Sequence, residues 1–365
     1  MSDQTMFLDF GLFSVSWYGF IMGAMILLAT GLFVFLRKMQ GEDMESSLTT
    51  ALFALPAALI GARVFYCWFA KALFSGGVLE MMNLLTGGYA LYGALLGILT
   101  VILVEGIRRG KSVSHMLDAV CPSVALAIAV ERWAGIINGS DIGFSVSSAW
   151  IRRIPFSVRS ETDHVYNLWV GFFEGAAAAL IFIFLAAVFL MKYRSDRKGL
   201  CCGDVALLFM MTYGFSQSFF ESMRDDSLFM VTLGFVRINQ IISIVMAVGA
   251  LVFLMVRKGR RRGVSAVDIG LWVLCAAALG LAVYCEFTMN AVSMTRNYFL
   301  LAFSLSVMLT VGLCLMTGGW KHGADQAGEL TIDKKRPPDA EERASAEFVP
   351  LDIDGLDMDE LKSLR

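Results

Sequence analysis

Long apolar runs separated by polar connections make up this chain from residue 13 to residue 316. A bilayer's hydrocarbon core is about 30 Å thick, and a helix needs about 20 mostly apolar residues to cross it. Nine windows meet that length: Phe13–Leu36, Thr49–Phe74, Tyr89–Ile107, Met116–Ile137, Val165–Met191, Asp204–Ser222, Ile238–Val256, Ala266–Phe287 and Tyr298–Met316. They are continuous and lack period-two alternation, which argues against membrane strands. The expected fold is an all-α polytopic membrane protein. A cleaved signal peptide is not expected, because Met1–Phe10 has no basic start and the first apolar run is too long.

Composition narrows the class. Of 365 residues 57% are apolar and 17% charged, against roughly 25% charged in an ordinary soluble domain. That excludes a soluble globular protein, and the high hydropathy excludes a disordered one. The 7 cysteines fall in or beside apolar runs without a C-x-x-C pair or a Cys/His cluster. No disulfide framework, metal site or cofactor is therefore expected. Nothing is basic enough for nucleic acid.

Charge sets an expected orientation. Lys and Arg gather in alternate connections: Arg37 and Lys38; Arg108, Arg109 and Lys111; Lys192, Arg194, Arg197 and Lys198; and Arg257, Lys258, Arg260, Arg261 and Arg262. Short connections rich in positive charge face the cytoplasm. The N-terminus is then outside and the C-terminus inside. Residues 321–365 hold 7 Lys and Arg against 12 Asp and Glu, an acidic cytoplasmic tail expected to be disordered up to a short helical stretch at Leu351–Leu364. The outer connection Asn138–Asp163 interleaves Trp150, Ile151, Ile154 and Phe156 with Arg152, Arg153 and Arg159. It reads equally as an amphipathic arm at the interface or as an ordinary loop.

Ionisable residues inside spanning helices are costly and usually mark a site. Here they include Arg63 in the second span, Glu131 and Arg132 in the fourth, and, in the fifth, His164 at the start beside the polar Asn167, with Glu174 deeper in the span. Tyr213, Gln217 and Glu221 in the sixth are spaced by four and share one helix face; Arg224, Arg237 and Gln240 follow. A polar cavity open toward the outer leaflet would satisfy them. Ion pairs such as Glu174 with Arg63 or Glu221 with Arg224, fixing helix register only, are the competing account. Gly93 and Gly97 form a G-x-x-x-G spacing, whose default meaning is close helix packing. The helix N-terminus beside it would also present free N–H groups to an anion.

These residues resemble the prolipoprotein diacylglyceryl transferases of bacterial inner membranes, in order, over roughly Phe13–Met255. Ser16-Trp17-Tyr18-Gly19, Ala62-Arg63-Val64-Phe65-Tyr66 and Gly87-Gly88 through Gly93 and Gly97 are similar to that family's first three helical motifs. Glu131-Arg132-Trp133-Ala134-Gly135-Ile136-Ile137-Asn138-Gly139 resembles its signature arginine segment. His164, Asn167 and Glu174-Gly175 resemble its fifth-helix motif. Tyr213-Gly214-Phe215 with Glu221 and Arg224, and Asn239-Gln240-Ile241-Ile242-Ser243, resemble its last two.

The resemblance implies transfer of the diacylglyceryl group of phosphatidylglycerol to the lipobox cysteine of a prolipoprotein signal peptide, with glycerol phosphate released. It implies Arg132 as the phospholipid-binding residue, with Arg63, Tyr18, Asn138, Gly139, Gln217 and Arg224 around the substrate. Tyr92, His164, Tyr213 and Glu221 would donate hydrogen bonds or move protons. Three positions depart from the family pattern: Tyr92 stands for a histidine, Gly135 for an asparagine and Gln217 for an arginine. Arg224 or Arg63 would then supply the second cation. The alternative reading is a lipid- or lipopeptide-binding relative without turnover; a transporter reading rests on the buried charges alone. Residues 1–256 are expected to form the seven-helix transferase-like unit, 257–320 two added spans and 321–365 the tail.

Overall fold

Every apolar window folds as a helix, and the ends differ from expectation where side chains or strand pairing intervene. The computed structural model describes residues 6–9, 14–71, 74, 80–81, 83, 87–146, 152, 156–159, 165–194, 201–225, 237–288 and 294–329. In chain order the elements are β1 (Met6–Asp9), β2 (Ser14–Ser16), α1 (Trp17–Met39), α2 (Met44–Phe69), α3 (Leu91–Arg109), α4 (Val113–Asn138), β3 (Ile142–Ser145), β4 (Ser157–Arg159) and β5 (Tyr166–Trp169). There follow α5 (Val170–Arg194), α6 (Asp204–Glu221), α7 (Ile238–Arg262), α8 (Ala266–Thr288) and α9 (Met294–Glu329). α1 starts at Trp17 because Ser16 caps it, its Oγ accepting the Gly19 N–H at 3.1 Å.

Among the described residues, eight of the nine helices are long and apolar enough to cross a membrane; α6 is the exception among the nine expected spans. Its polar residues are tolerated because α6 packs inside the bundle, against α4, α5, α7 and α9. Most of its side chains, including Asp204, Gln217, Ser218 and Glu221, are buried and meet protein rather than lipid. The multi-pass membrane architecture stands, with two small sheets added at one end. β1 pairs with β2, and β3, β5 and β4 form an antiparallel sheet in that order.

That second sheet revises two expectations. The fifth helix begins at Val170, not Val165, because Tyr166–Trp169 pairs with Ile142–Ser145 and Ser157–Arg159 instead of winding into the helix. Asn167 is thus a strand residue. Both ends of the Asn138–Asp163 connection enter this sheet; residues 147–151 and 153–155, which carry most of the proposed amphipathic arm, lie outside the described residues, as does His164. At the other end of the chain α9 runs on to Glu329 rather than stopping near Met316. Residues 330–365, with the expected short acidic helix, lie outside the described residues.

At the end rich in Lys and Arg, one buried carboxylate fixes the depth of α6. Asp118 of α4 accepts the N–H groups of Gly203, Val205 and Ala206 at 2.9–3.1 Å and the Lys192 ammonium at 2.6 Å. An anion at a helix N-terminus satisfies otherwise orphaned donors. Arg257 reaches Asp204 at 2.7 Å, tying α7 to the same point. Glu42, in the α1–α2 connection, is held below the usual carboxylate range by the Lys111 hydrogen bond and the nearby Arg37.

The G-x-x-x-G spacing serves packing. Gly93 lies against the backbone of Gly61, and Gly97 against that of Ala57, so α2 and α3 touch main chain to main chain. A side chain at Gly97 would have to displace backbone. Gly97→Val is therefore expected to lower the thermal unfolding midpoint in detergent, with a cost of about 1–3 kcal/mol for overpacking. Gly23→Val, at a position with open space around it, should leave the midpoint where it is.

Candidate functional site

Close to the strand-bearing end, three helices, a turn and the segment leaving α6 bring buried charges together. Arg132 stands near the C-terminal end of α4. Its Nε lies 2.8 Å from Glu174 Oε2 on α5, and its Nη1 lies 2.8 Å from Asp141 Oδ1 and 3.6 Å from Glu131. Arg224, three residues past α6, reaches the same two carboxylates, with Nη2 2.6 Å from Asp141 Oδ1 and Nη1 3.5 Å from Glu174 Oε2. Arg132, Arg224, Asp141 and Glu174 are all buried. Two guanidiniums thus share two carboxylates out of water. Neither of the ion pairs anticipated from the sequence forms this arrangement: Glu174 pairs with Arg132 and Arg224, and Arg224 with Asp141 and Glu174.

The local backbone explains why Asp141 and Arg224 arrive there. α4 ends at Gly139, whose left-handed conformation (φ 65°) lets the Ser140 N–H turn back to the Gly135 carbonyl at 3.1 Å. Asp141 itself has φ 61°, a region in which Asp and Asn are favoured among non-glycine residues. Its carbonyl accepts the Gly171 N–H at 3.2 Å, which pins the turn to the start of α5. On the far side Arg224 forms a bridge with Gly143 of β3, and the Asp225 N–H donates to the Ile142 carbonyl at 3.1 Å. The chain leaving α6 is laid on β3, and Arg224 falls beside Asp141.

A hydrogen-bonded relay continues from the charges. Gln217 donates its amide to Glu174 Oε1 at 3.3 Å and to Glu221 Oε2 at 3.2 Å, and its Oε1 accepts the Tyr213 hydroxyl at 3.0 Å. Asn239 of α7 donates to Glu221 Oε1 at 3.2 Å, and Tyr92 of α3 hydrogen-bonds the Ser243 hydroxyl, which donates to the Asn239 carbonyl at 2.6 Å. Tyr92, Tyr213, Gln217, Glu221 and Ser243 are buried. The four-residue spacing on α6 therefore does place three side chains on one face, turned into the protein.

Other expected residues lie elsewhere. Arg63 is buried, but it turns to the α2–α3 connection, donating to the carbonyls of Met81 (2.9 Å), Glu80 and Gly88 (both 3.2 Å) and Gly87, with Phe74 beneath it. Its placement organises that connection. Tyr18 is half-buried at the start of α1, within the electrostatic reach of Glu131, Asp141 and Arg132. Asn138 and Gly139 are exposed at the end of α4. The sequence reading passed over Asp141, Asn239 and Ser243 as site residues. For Asp141 a signal existed: an acidic residue directly after an Asn-Gly-Ser turn suits a left-handed position.

Among the described residues no group of three or more His, Cys, Asp or Glu is placed to hold a metal ion. Comparison with known proteins is consistent over most of the chain. A family profile described as prolipoprotein diacylglyceryl transferase matches residues 5–256. The phosphatidylglycerol–prolipoprotein diacylglyceryl transferase of Limosilactobacillus reuteri is 32% identical over 256 residues, covering 68% of this chain and 89% of that protein. The protein of the same name from Ligilactobacillus salivarius is 29% identical over 255 residues (69% and 92%), and that from Finegoldia magna 27% over 250 (68% and 94%). Helices α8 and α9 lie beyond the matched residues.

Gly135 faces this cluster directly. A Cβ built there would meet Ser140 Oγ and, at 3.0 Å, Asp141 Oδ2. Asp141 fills the space that an asparagine at 135 would need. Gly135→Asn is expected to destabilise the protein by about 1–3 kcal/mol, and the loss should shrink in an Asp141→Ala background. A double-mutant cycle on unfolding in detergent measures that coupling.

Proposed function

Because the chain belongs to the prolipoprotein diacylglyceryl transferase family, we propose that the buried Arg132–Arg224 pair grips the phosphate of phosphatidylglycerol during the transfer. The protein is a transferase of lipoprotein maturation: it moves the diacylglyceryl group of phosphatidylglycerol to a prolipoprotein. The acceptor in this reading is the lipobox cysteine behind the signal peptide. Its thiolate sulfur attacks the glycerol carbon that carries the phosphate. A carbon–sulfur bond forms, the carbon–oxygen bond breaks, and glycerol phosphate leaves with the bonding pair. The thiol must first lose its proton, since the thiolate is the nucleophile.

What supports the reading is the pairing of two guanidiniums within one water-poor site. Negative charge builds on the departing phosphate as the carbon–oxygen bond lengthens, and fixed donors in a low-dielectric site stabilise that charge strongly. A guanidinium is suited to the task because its N–H groups match phosphate oxygens two at a time. Gln217 is neutral, so it cannot supply the second cation; Arg224 lies across Asp141 from Arg132 and does. The relay of Tyr213, Gln217 and Glu221, with Tyr92 and Ser243 beside it, is the proposed route for the thiol proton. Arg63 holds the α2–α3 connection in place, and Tyr18, Asn138 and Gly139 are proposed to line the approach of the two substrates.

The multi-pass helices place the protein in a membrane. In the proposed orientation this is the bacterial cytoplasmic membrane. The strand-bearing end and the site face outside, and the Arg- and Lys-rich connections and the C-terminus face the cytoplasm. In this reading residues 1–256 form the transferase unit, α8 and α9 an addition to it, and the residues after Glu329 an acidic tail.

Two measurements test this. Expression in a strain depleted of its own transferase should restore lipidated prolipoprotein; confirmed membrane expression without lipidation would overturn the reading. In purified protein, Arg132→Gln and Arg224→Gln should each reduce kcat/KM by about 10²-fold or more, as loss of a charge-stabilising donor does elsewhere. Glycerol phosphate release from phosphatidylglycerol is the readout. Full activity in Arg224→Gln would remove the second cation from the scheme.

A further inference from the structure

Asp141 stands where the ligand of the two arginines ought to be. One oxygen, Oδ1, takes Nη1 of Arg132 at 2.8 Å and Nη2 of Arg224 at 2.6 Å. A phosphate oxygen bridging the pair would need that same position. The residue is buried, and Gly135 leaves the room its carboxylate occupies. The other acidic groups of the cluster, Glu131, Glu174 and Glu221, belong to helices α4, α5 and α6. Asp141 alone of the four sits on a turn, with φ 61°. A non-glycine residue there carries backbone strain that a change of conformation would relieve.

We infer that Asp141 is an internal counter-anion: it holds Arg132 and Arg224 in clamp geometry while the site is empty and competes with the phospholipid phosphate for them. The inference rests on the reading of Arg132 and Arg224 as the phosphate clamp. Asp141 is a positioning residue, acting through the guanidiniums. Three carboxylates pair with the two guanidiniums, Asp141 and Glu174 with both and Glu131 with Arg132, and Glu221 lies one amide away across Gln217. An entering phosphodiester adds one more anion to that set, and like charges brought together out of water repel one another strongly. The anion on the turn is the one able to yield. When it swings away, both guanidiniums are released to the lipid; when glycerol phosphate forms, the returning carboxylate helps to expel it. The arrangement trades affinity for turnover and gives the arginines a partner between cycles, so that neither is left as an uncompensated buried charge.

The test compares equilibrium binding and steady-state kinetics in nanodiscs, with phosphatidylglycerol as the titrated lipid in a phosphatidylcholine background. Asp141→Asn keeps the shape and the tolerance for a left-handed backbone while removing the charge. It is expected to bind phosphatidylglycerol on the order of tenfold more tightly, with a lower KM, a kcat no higher than that of the unaltered protein, and stronger product inhibition by glycerol phosphate. A residue that merely braced the fold would not raise affinity when altered. Asp141→Ser is the second variant, should the asparagine protein fail to fold in detergent. Binding that is equal or weaker in the folded variants, while Arg132→Gln loses binding, would overturn the counter-anion role and leave the clamp. Undiminished binding in Arg132→Gln would overturn the clamp itself. Failure of both Asp141 variants to fold would assign Asp141 to structure alone and end the proposal.

Discussion

A guanidinium taken out of water has to be met by carboxylates, and the strand-bearing end of this protein is built around that requirement. Arg132 lies at a depth where an unpartnered cation would cost several kcal/mol. The chain meets it from three directions. Glu174 comes from the next helix, Asp141 from the turn that ends α4, and Glu131 from the preceding residue. Arg224 then shares Asp141 and Glu174, so the carboxylates brought in to neutralise one arginine also hold a second. Breaking one member of such a set costs more than the set contributes net, because the partners stay buried.

Much of the surrounding fold follows from putting those groups at one level. The left-handed Gly139 turns the chain back so that Asp141 points to the helix it has just left. β3 runs on from that turn and receives both β5, which leads into α5, and the segment that carries Arg224. At the opposite end Asp118 caps α6 and pairs with Lys192. That cap sets the height at which Tyr213, Gln217 and Glu221 meet the arginines. The strands do not form a core of their own; their pairing sets the register in which the turn carrying Asp141 and the segment carrying Arg224 meet.

Tyr92, Gly135 and Gln217, the positions singled out by the resemblance, are each met by side chains from other elements. With Gln217 neutral, the second guanidinium enters from a residue seven further along, beyond the end of the helix. With glycine at 135, the vacated volume goes to Ser140 and Asp141. Tyr92 meets Ser243 on a different helix.

Read alone, the sequence determined the helices, their order and the position of the critical charges along them. These follow from local physics: apolar length against bilayer thickness, four-residue spacing on a helix face, and the cost of an ion in hydrocarbon. Arg132, Glu174, Tyr213, Gln217 and Glu221 were legible for that reason. The tertiary structure alone decided who meets whom. Arg63 serves carbonyls of its own connection, Arg224 joins Arg132, and Asp118 reaches a helix start more than eighty residues away. It also decided that Tyr166–Trp169 is a strand, since pairing across the sheet outweighs its apolar continuity with α5. Hydropathy carries no record of a partner. An ion pair depends on where two distant backbones come to rest, and a carboxylate such as Asp141 shows its role only once the turn beneath it has been folded.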